Sequence, residues 1–429
     1  MSERRTDKRG ASQRNSQRIQ QQTEAVRRVR VPDGASAPSG KREENSERKS
    51  AKSKKLKLFG VGLGLDMPFC LLVLVLLTIG ITMMFSASYP IAYSTYGDSF
   101  YFLKRQILFA VIGIACMIGF SFFNYRIFYR FAKPILAISY IVLLLVLILP
   151  ASNGVRRWIG VGSFTIQASE ITKFCIIVFF AYWGTKYFDK MKYMKYSFIP
   201  GIVIFGSTGI LLILEPHFSC TVIVFLLVLV MLYISGMEGK YFAFIGILVG
   251  AGLLFLWVTG LLGYAMDRMD GWGKALDYTT SEMWQTTWQT RNSLYAIGSG
   301  GLTGLGLGQS RQKYLYLPEP QNDFVFAIVC EELGLVGAIL ILVLFGLLVW
   351  RGITMSRKAS DVFGRLLGIG LTAQVGLQVI LNIFVITDWL PNTGISLPFF
   401  SYGGSSLIML LSQMGVILSV SRTAKIEKR

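Results

Sequence analysis

Histidine is almost missing from this sequence. His217 is the single imidazole among 429 residues, and one imidazole cannot build a His-based metal centre. Cysteine does little more. Cys70, Cys116, Cys175, Cys220 and Cys330 lie in or beside apolar runs and never as CxxC, which excludes a disulfide framework and a zinc-ribbon pattern. Charge is scarce at 16% of residues, and acids are the scarcer kind, 24 against 43 Lys and Arg. The resulting net charge of +19 would suggest a nucleic-acid partner if it covered a globular surface. Much of it sits instead in residues 1–58 and in short loops, as membrane topology produces, so no nucleic acid is expected. No internal repeat is visible, and the Gly-rich segment 298–310 lacks both GK[ST] and GxGxxG, which argues against a nucleotide loop.

What the chain has in abundance is long apolar runs. Hydrophobic residues make up 53% of it, and a spanning helix needs about 20 apolar residues in succession. Qualifying runs lie near 67–87, 106–122, 132–150, 169–184, 197–214, 218–235, 241–263, 324–350, 363–387 and 402–420. The expected fold is therefore an all-α integral membrane protein of about ten spans. Continuous runs exclude a β-barrel, whose strands are short and alternating.

Residues 1–58 are rich in Arg, Lys, Gln, Ser and Glu. Such a segment cannot bury enough surface to offset its ordering entropy, so a disordered basic tail is expected. It has no apolar core followed by a small-residue cleavage site, so a cleaved signal peptide is not expected. The membrane domain is expected over 59–421, with 422–429 as a short tail. Arg126, Arg130 and Lys133, then Lys186, Lys190, Lys192 and Lys195, then Arg351, Arg357, Lys358 and Arg365 fall in alternate loops. The positive-inside rule places these loops and both termini in the cytoplasm.

The opposite side carries cations that this rule does not explain: Lys104, Arg105, Arg156, Arg157, Lys173, Arg291, Arg311 and Lys313. An anionic partner outside would account for them. Ordinary pairing of Glu170 with Lys173 at i,i+3 is the alternative for part of the set. The loop 153–173 mixes Gly, Trp and cations, and EPHF (215–218) turns the chain between two apolar runs. The longest outer segment, about 264–322, places Trp284, Trp288, Arg291 and Tyr295 at i, i+4, i+7 and i+11, one face of an interfacial helix. Its glycines suit close backbone approach to a ligand or a neighbouring helix. TDWLPNTGISLPFFSYGGSS (387–406) forms a further outer Pro/Gly loop.

RQKYLYLPEPQNDFVFAIVCEELG (311–334) carries the strongest chemical hint. A polar loop ends at Asp323 and an apolar helix begins at once. Asp is a favoured N-cap and suits the positive end of a helix dipole, so capping alone would explain it. A carboxylate at the water–lipid boundary could equally serve as a general base.

RRWIGVGSFTIQASEITK, EPHFSCT, SLYAIGSGGLTGLGLGQSRQKYLYLPEPQNDFVFAIVCEELG and LPNTGISLPFFSYGGSS follow one another in that order. Together they resemble the SEDS family of polytopic peptidoglycan polymerases, on its FtsW/SpoVE side, over residues 65–421. The resemblance implies a glycosyltransferase that polymerises lipid II on the outer face of the bacterial cytoplasmic membrane, at the division septum. It implies Asp323 as catalytic base, within a motif that includes Pro318, Glu319 and Phe324. Arg156, Arg157, Glu170 and Lys173, joined by Arg291, Arg311 and Glu319, are then the candidates for holding substrate, with inversion at the anomeric centre. It further implies a class B penicillin-binding protein and other divisome proteins as partners. A divalent cation, Mg or Mn, is compatible with a pyrophosphate leaving group, though no ligand cluster marks a place for one. The chain departs from the family in Pro216-His217-Phe218-Ser219-Cys220-Thr221, where many relatives have PDxGT, and in Ala168, where Pro is frequent. A lipid II flippase and a non-catalytic division scaffold are the rival functions. A flippase should carry ionisable groups deep in its spans, whereas here they gather at one rim.

Overall fold

The computed structural model describes residues 64–149, 157–161, 164–215, 217–258, 271–277 and 281–427. The expected N-terminal tail 1–58, Arg156, Pro216 and part of the segment 264–322 lie outside them. The described residues belong to one compact unit.

Each of the ten apolar runs holds a helix. In chain order the first three are α1 (Met67–Tyr96), α2 (Tyr101–Phe122) and α3 (Arg126–Ile148). A two-stranded antiparallel hairpin follows, β1 (Trp158–Val161) on β2 (Phe164–Gln167), with Trp158 opposite Gln167. Then come α4 (Ala168–Lys186), α5 (Phe198–Leu214), α6 (Phe218–Ile234) and α7 (Gly239–Val258). Two short helices, α8 (Ser281–Thr286) and α9 (Trp288–Ser299), precede α10 (Val325–Arg357), α11 (Val362–Ile386) and α12 (Gly404–Glu427). The hairpin is the one departure from the all-α expectation among the described residues. α12 runs on into the segment expected as the short C-terminal tail, to Glu427.

The protein is a multi-pass membrane protein. α1, α2, α3, α10, α11 and α12 are long and apolar enough to cross a membrane. α5 and α6 are apolar but 17 residues each, about 25 Å against a hydrocarbon core of about 30 Å. α4 carries Glu170, Lys173 and Lys186. Side chains such as Val111, Ile141, Val203 and Leu340 stay exposed on the helix exteriors. An apolar surface of that kind has lipid, not water, as its natural solvent.

α2 packs along α12, α3 along α4, and α11 along α10, with α1 against α10 and α4 against α11. At one end the connections are closed by ion pairs. Asp66 caps α1 and takes Arg351 at 2.8 Å, and Asp361 caps α11 and takes Arg126 at 3.0 Å. Functional interest lies at the other end.

There α10 is broken. Gly334 has φ +66° and ψ −171°, so the helix interrupts and restarts. An interruption strands backbone groups that must find partners, and the Gly-rich segment supplies them. Leu305 and Gly306 amides donate to the Glu331 and Glu332 carbonyls at 2.9 and 3.0 Å, and Leu335 and Val336 amides donate to the Gly301 and Leu302 carbonyls at 3.0 and 3.1 Å. A Cβ on Gly334 would lie 2.3 Å from the Gly304 nitrogen. The close approach foreseen for these glycines is thus made to a neighbouring helix.

The side chains of Glu331 and Glu332 complete the fastening. Glu332 accepts from Lys313 Nζ at 2.8 Å, from Ser86 Oγ at 2.7 Å, and from the amides of Gly308 and Ser310 at 2.9 and 3.3 Å. Glu331 accepts from the Arg311 amide at 2.9 Å and from the Ser310 hydroxyl. Lys313 and Glu332 are wholly buried. A buried charge pair is tolerated when every lone pair is occupied, as here.

Candidate active site

Asp323 stands in the turn that leads into α10, one residue before the N-cap, Phe324, which contributes no side-chain cap bond. Its place is set by a clamp from the 387–403 loop and α11. Asn382, buried in α11, donates to the Asp323 carbonyl at 2.8 Å and to the Ile395 carbonyl at 2.6 Å. Ser401 Oγ donates to the Asn322 carbonyl at 2.6 Å, and the Tyr402 amide donates to the Gln321 carbonyl at 2.8 Å. Gly394, at φ +69°, allows the carboxylate to lie against the loop; a Cβ there would sit 2.8 Å from Asp323 Oδ2. The carboxylate is half-buried.

Asp323 opens onto a cavity of about 360 Å³. The same cavity is lined by Arg157 from the start of the hairpin, Glu170 and Lys173 from the first turns of α4, and His217 at the head of α6. Arg105, Gln378 and Tyr402 complete its polar wall. Lys173 Nζ is 2.8 Å from Glu170 Oε1, and both side chains are nine-tenths buried or more. The i,i+3 pairing weighed for these two residues is therefore real, and it forms part of the cavity lining. An ammonium has three N–H donors, so this pair leaves Lys173 able to bind further acceptors.

Behind this wall lies Glu215, fully buried, with neither carboxylate oxygen hydrogen-bonded. Burial pushes its carboxyl up to about 8, against the pull of Arg157, whose Nε donates to the Glu215 carbonyl at 3.4 Å. His217 is pushed down to about 3 by burial first, then by Arg157 and Lys173. Near neutral pH both groups are uncharged. The positive charge of Arg157 and Lys173 is thus offset only by Glu170 and Asp323 among the named groups.

The remaining candidates lie elsewhere. Arg291 is 1% exposed and stacks on Trp284, its guanidinium carbon 3.7 Å from the ring centroid, while it donates to the Trp284 carbonyl. The face expected to be one helix is two, α8 and α9, parted at Thr287, and Arg291 folds back across the break. The cation–π contact offsets part of the cost of burying its charge. Arg311 lines a separate groove with Gly308, Gln312 and Tyr316. Glu319, at φ +50°, accepts from Gln321 Nε2 and Asn322 Nδ2 at 2.9 and 2.8 Å and so shapes its own turn. None of the three lines the cavity of Asp323. Ser401 and Tyr402 belong to the LPNTGISLPFFSYGGSS segment but carried no individual role, whereas Gln378 and Asn382 are isolated polar residues in an apolar helix and carry no spacing signal. Among the described residues no group of three or more His, Cys, Asp or Glu could hold a metal.

The chain is similar to known proteins over most of its length. The family model for FtsW, RodA and SpoVE, described as "Cell cycle protein", matches residues 67–426. "Stage V sporulation protein E" of Bacillus subtilis is 39% identical over 81% of this chain and 94% of its own length. "Probable peptidoglycan glycosyltransferase FtsW" of Geobacter sulfurreducens is 35% identical over 81% of this chain and 92% of its own. Among solved structures, a chain of a peptidoglycan synthase complex that coordinates polymerization and crosslinking superposes with TM-score 0.65 at 25% identity, covering 85% of this chain and 99% of its own. The rod shape determining protein RodA of Thermus thermophilus superposes with TM-score 0.61 at 25% identity, covering 84% and 97%.

Proposed function

The chain belongs to the FtsW, RodA and SpoVE family of cell cycle proteins, and from that premise we propose that it is a peptidoglycan glycosyltransferase polymerising lipid II into glycan strands. One observation carries the chemistry: Asp323, Arg157 and Lys173 line a single cavity. Glycosyl transfer needs a base on one side of the reacting carbon and charge stabilisation on the other. Asp323 takes the proton of the acceptor sugar 4-hydroxyl as its oxygen attacks the anomeric carbon. The bond from that carbon to the diphosphate breaks, its electron pair leaves with the lipid diphosphate, and the configuration inverts. Arg157 and Lys173 bind the diphosphate. Arg suits phosphate through its bidentate fork, and Lys acts as a point charge. Arg156, beside Arg157 in sequence, is assigned the same task. Arg291, Arg311 and Glu319 are left outside the first contact with substrate by their positions.

The carboxylates lining the cavity are Asp323 and Glu170, and Glu170 is engaged by Lys173. A divalent ion is commonly held by one or two carboxylates together with substrate phosphates, so a Mg or Mn ion bound with the diphosphate is part of the proposal, while the chain's own groups carry the steps above. The positive-inside pattern supports placing the cavity at the outer face, with ten spans and both termini in the cytoplasm. Crosslinking of the strands requires a second enzyme, for which a class B penicillin-binding protein is proposed; the similarity to a chain of a polymerising and crosslinking complex supports it. Action at the division septum, alongside other divisome proteins, belongs to the same proposal.

The test is polymerisation of purified lipid II by the full-length protein, with and without that partner, read as glycan ladders. Asp323→Asn should lower the rate about 10²–10⁴-fold with thermal stability retained. Full activity in a folded Asp323→Asn variant would remove the base assignment. Lipid II translocation in vesicles without any polymer would favour a flippase, and rescue of division by the Asn variant would favour a scaffold.

A further inference from the structure

Ser169 Oγ and His217 Nδ1, from residues lining the cavity, and both carboxylate oxygens of Glu215 behind it have no hydrogen-bond partner. A buried polar atom left unbonded costs about 1–3 kcal/mol, and such atoms in a native protein call for an explanation, of which an absent ligand is one. His217 is the most informative. Its ring is 7% exposed and lines the cavity beside Arg157 and Lys173. Its backbone is fixed on both sides, the amide donating to the Leu212 carbonyl at 3.0 Å and the carbonyl accepting from Thr221 Oγ1 at 3.2 Å. The ring is thus held at the cavity wall and has an unused nitrogen.

We propose that His217 is a substrate-binding residue that takes up a proton as the diphosphate of a lipid-linked sugar enters, adding a third, conditional cation to Arg157 and Lys173. The proposal deepens the reading of this cavity as the diphosphate site and rests on it. The charged and titratable groups around the ring are Arg157, Lys173, Glu215, Glu170 and the Cys220 thiol, with Asp323 and Arg105 lining the same cavity. In the free protein, burial and the two cations keep the ring neutral, and Glu215, itself protonated, does nothing to oppose them. A bound diphosphate brings two negative charges. It cancels the repulsion from Arg157 and Lys173 and offers phosphate oxygens to a doubly protonated ring, whose two N–H groups are both donors. The sign follows from linkage. The ring binds protons more readily in the complex than in the free protein, so affinity rises as pH falls through the complex's higher pKa and is flat above it.

His217 is the single histidine in the chain, so its protonation can be read directly. The full-length, untagged protein is prepared in nanodiscs with 15N-labelled histidine. The probe is farnesyl diphospho-N-acetylglucosamine, a diphosphate diester with no group titrating between about pH 5 and about pH 8. The imidazole nitrogens are followed by NMR as the probe is added, and calorimetry in two buffers of different ionisation enthalpy counts the protons taken up. The expected result is a neutral ring without probe and an imidazolium with it, uptake approaching one proton at the lower pH, and affinity strengthening by up to about tenfold per pH unit there. His217→Asn should bind without that proton uptake. Probe binding with the wild-type ring still neutral would overturn the proposal and leave the diphosphate site standing. Wild-type affinity left unchanged by Arg157→Ala with Lys173→Met would overturn the site itself, and the proposal with it.

Discussion

Two regions at the same end of the bundle treat their buried polar groups in opposite ways. Where the Gly-rich segment meets the break in α10, Glu331, Glu332, Lys313 and Ser310 are bonded to one another or to backbone amides. Across the cavity, where β1 and the heads of α4 and α6 converge, Ser169, Glu215 and His217 keep unbonded polar atoms. The first region is closed by these bonds, with Gln312 Oε1 left unbonded beside them. The second has the unmet hydrogen-bonding capacity of a site that awaits a partner. Charge pairing alone does not part the two regions, since both pair a lysine with a glutamate at 2.8 Å.

The comparison can be broken first on its scaffold side, where the largest effect is expected. Lys313→Met strands the buried Glu332 carboxylate and should destabilise the protein by about 3–5 kcal/mol. The double variant Lys313→Met with Glu332→Met should recover much of that loss, and chemical unfolding of the two in detergent would measure it. A smaller loss, about 1–3 kcal/mol, is expected for Gly334→Ala. Its φ of +66° suits glycine, and the added Cβ would meet the Gly304 nitrogen. A thermal shift within error of wild type for Gly334→Ala would mean the joint is loose.

On the functional side the effects should appear in rate rather than stability. Gly394→Ala drives a methyl against Asp323 Oδ2. Displacing a catalytic group by about an ångström can cost about 10²-fold, so polymerisation should fall steeply while the melting temperature changes by only a few degrees. The last test concerns Glu215, where the effect depends on pH. Its carboxyl is raised from 4.5 to about 8 in the folded protein, by burial. The folded state therefore holds a proton that the unfolded state releases, and stability falls as pH rises from about 4.5 through about 8. Glu215→Gln carries no such proton. Its melting temperature should exceed that of wild type by a margin that grows across this window, and a constant margin would contradict the protonated carboxyl.

Legibility in the sequence followed the range of the interactions concerned. Apolar runs report helices because a helix satisfies its own backbone bonds, so about twenty adjacent residues contain the whole reason for a span. The Glu170–Lys173 pair was foreseeable for the same reason, being one helical turn apart. Arg291 was not. Its spacing from Trp284 and Trp288 suggested a shared face, but the break at Thr287 turned it onto the indole instead. Gln378 and Asn382 reach the site from positions 55 or more residues from Asp323 in sequence, and no local pattern announces them.

From the order of its residues alone, this chain determined that it would be a helical membrane protein with a lone acid and several basic groups at one rim. Those properties depend on hydrophobic run length and on neighbours within a turn or two. Only the tertiary structure decided which basic groups share a cavity with that acid, which are covered by aromatic rings, and which polar atoms remain unbonded. Such outcomes depend on contacts between distant segments, whose geometry is set by how whole helices pack.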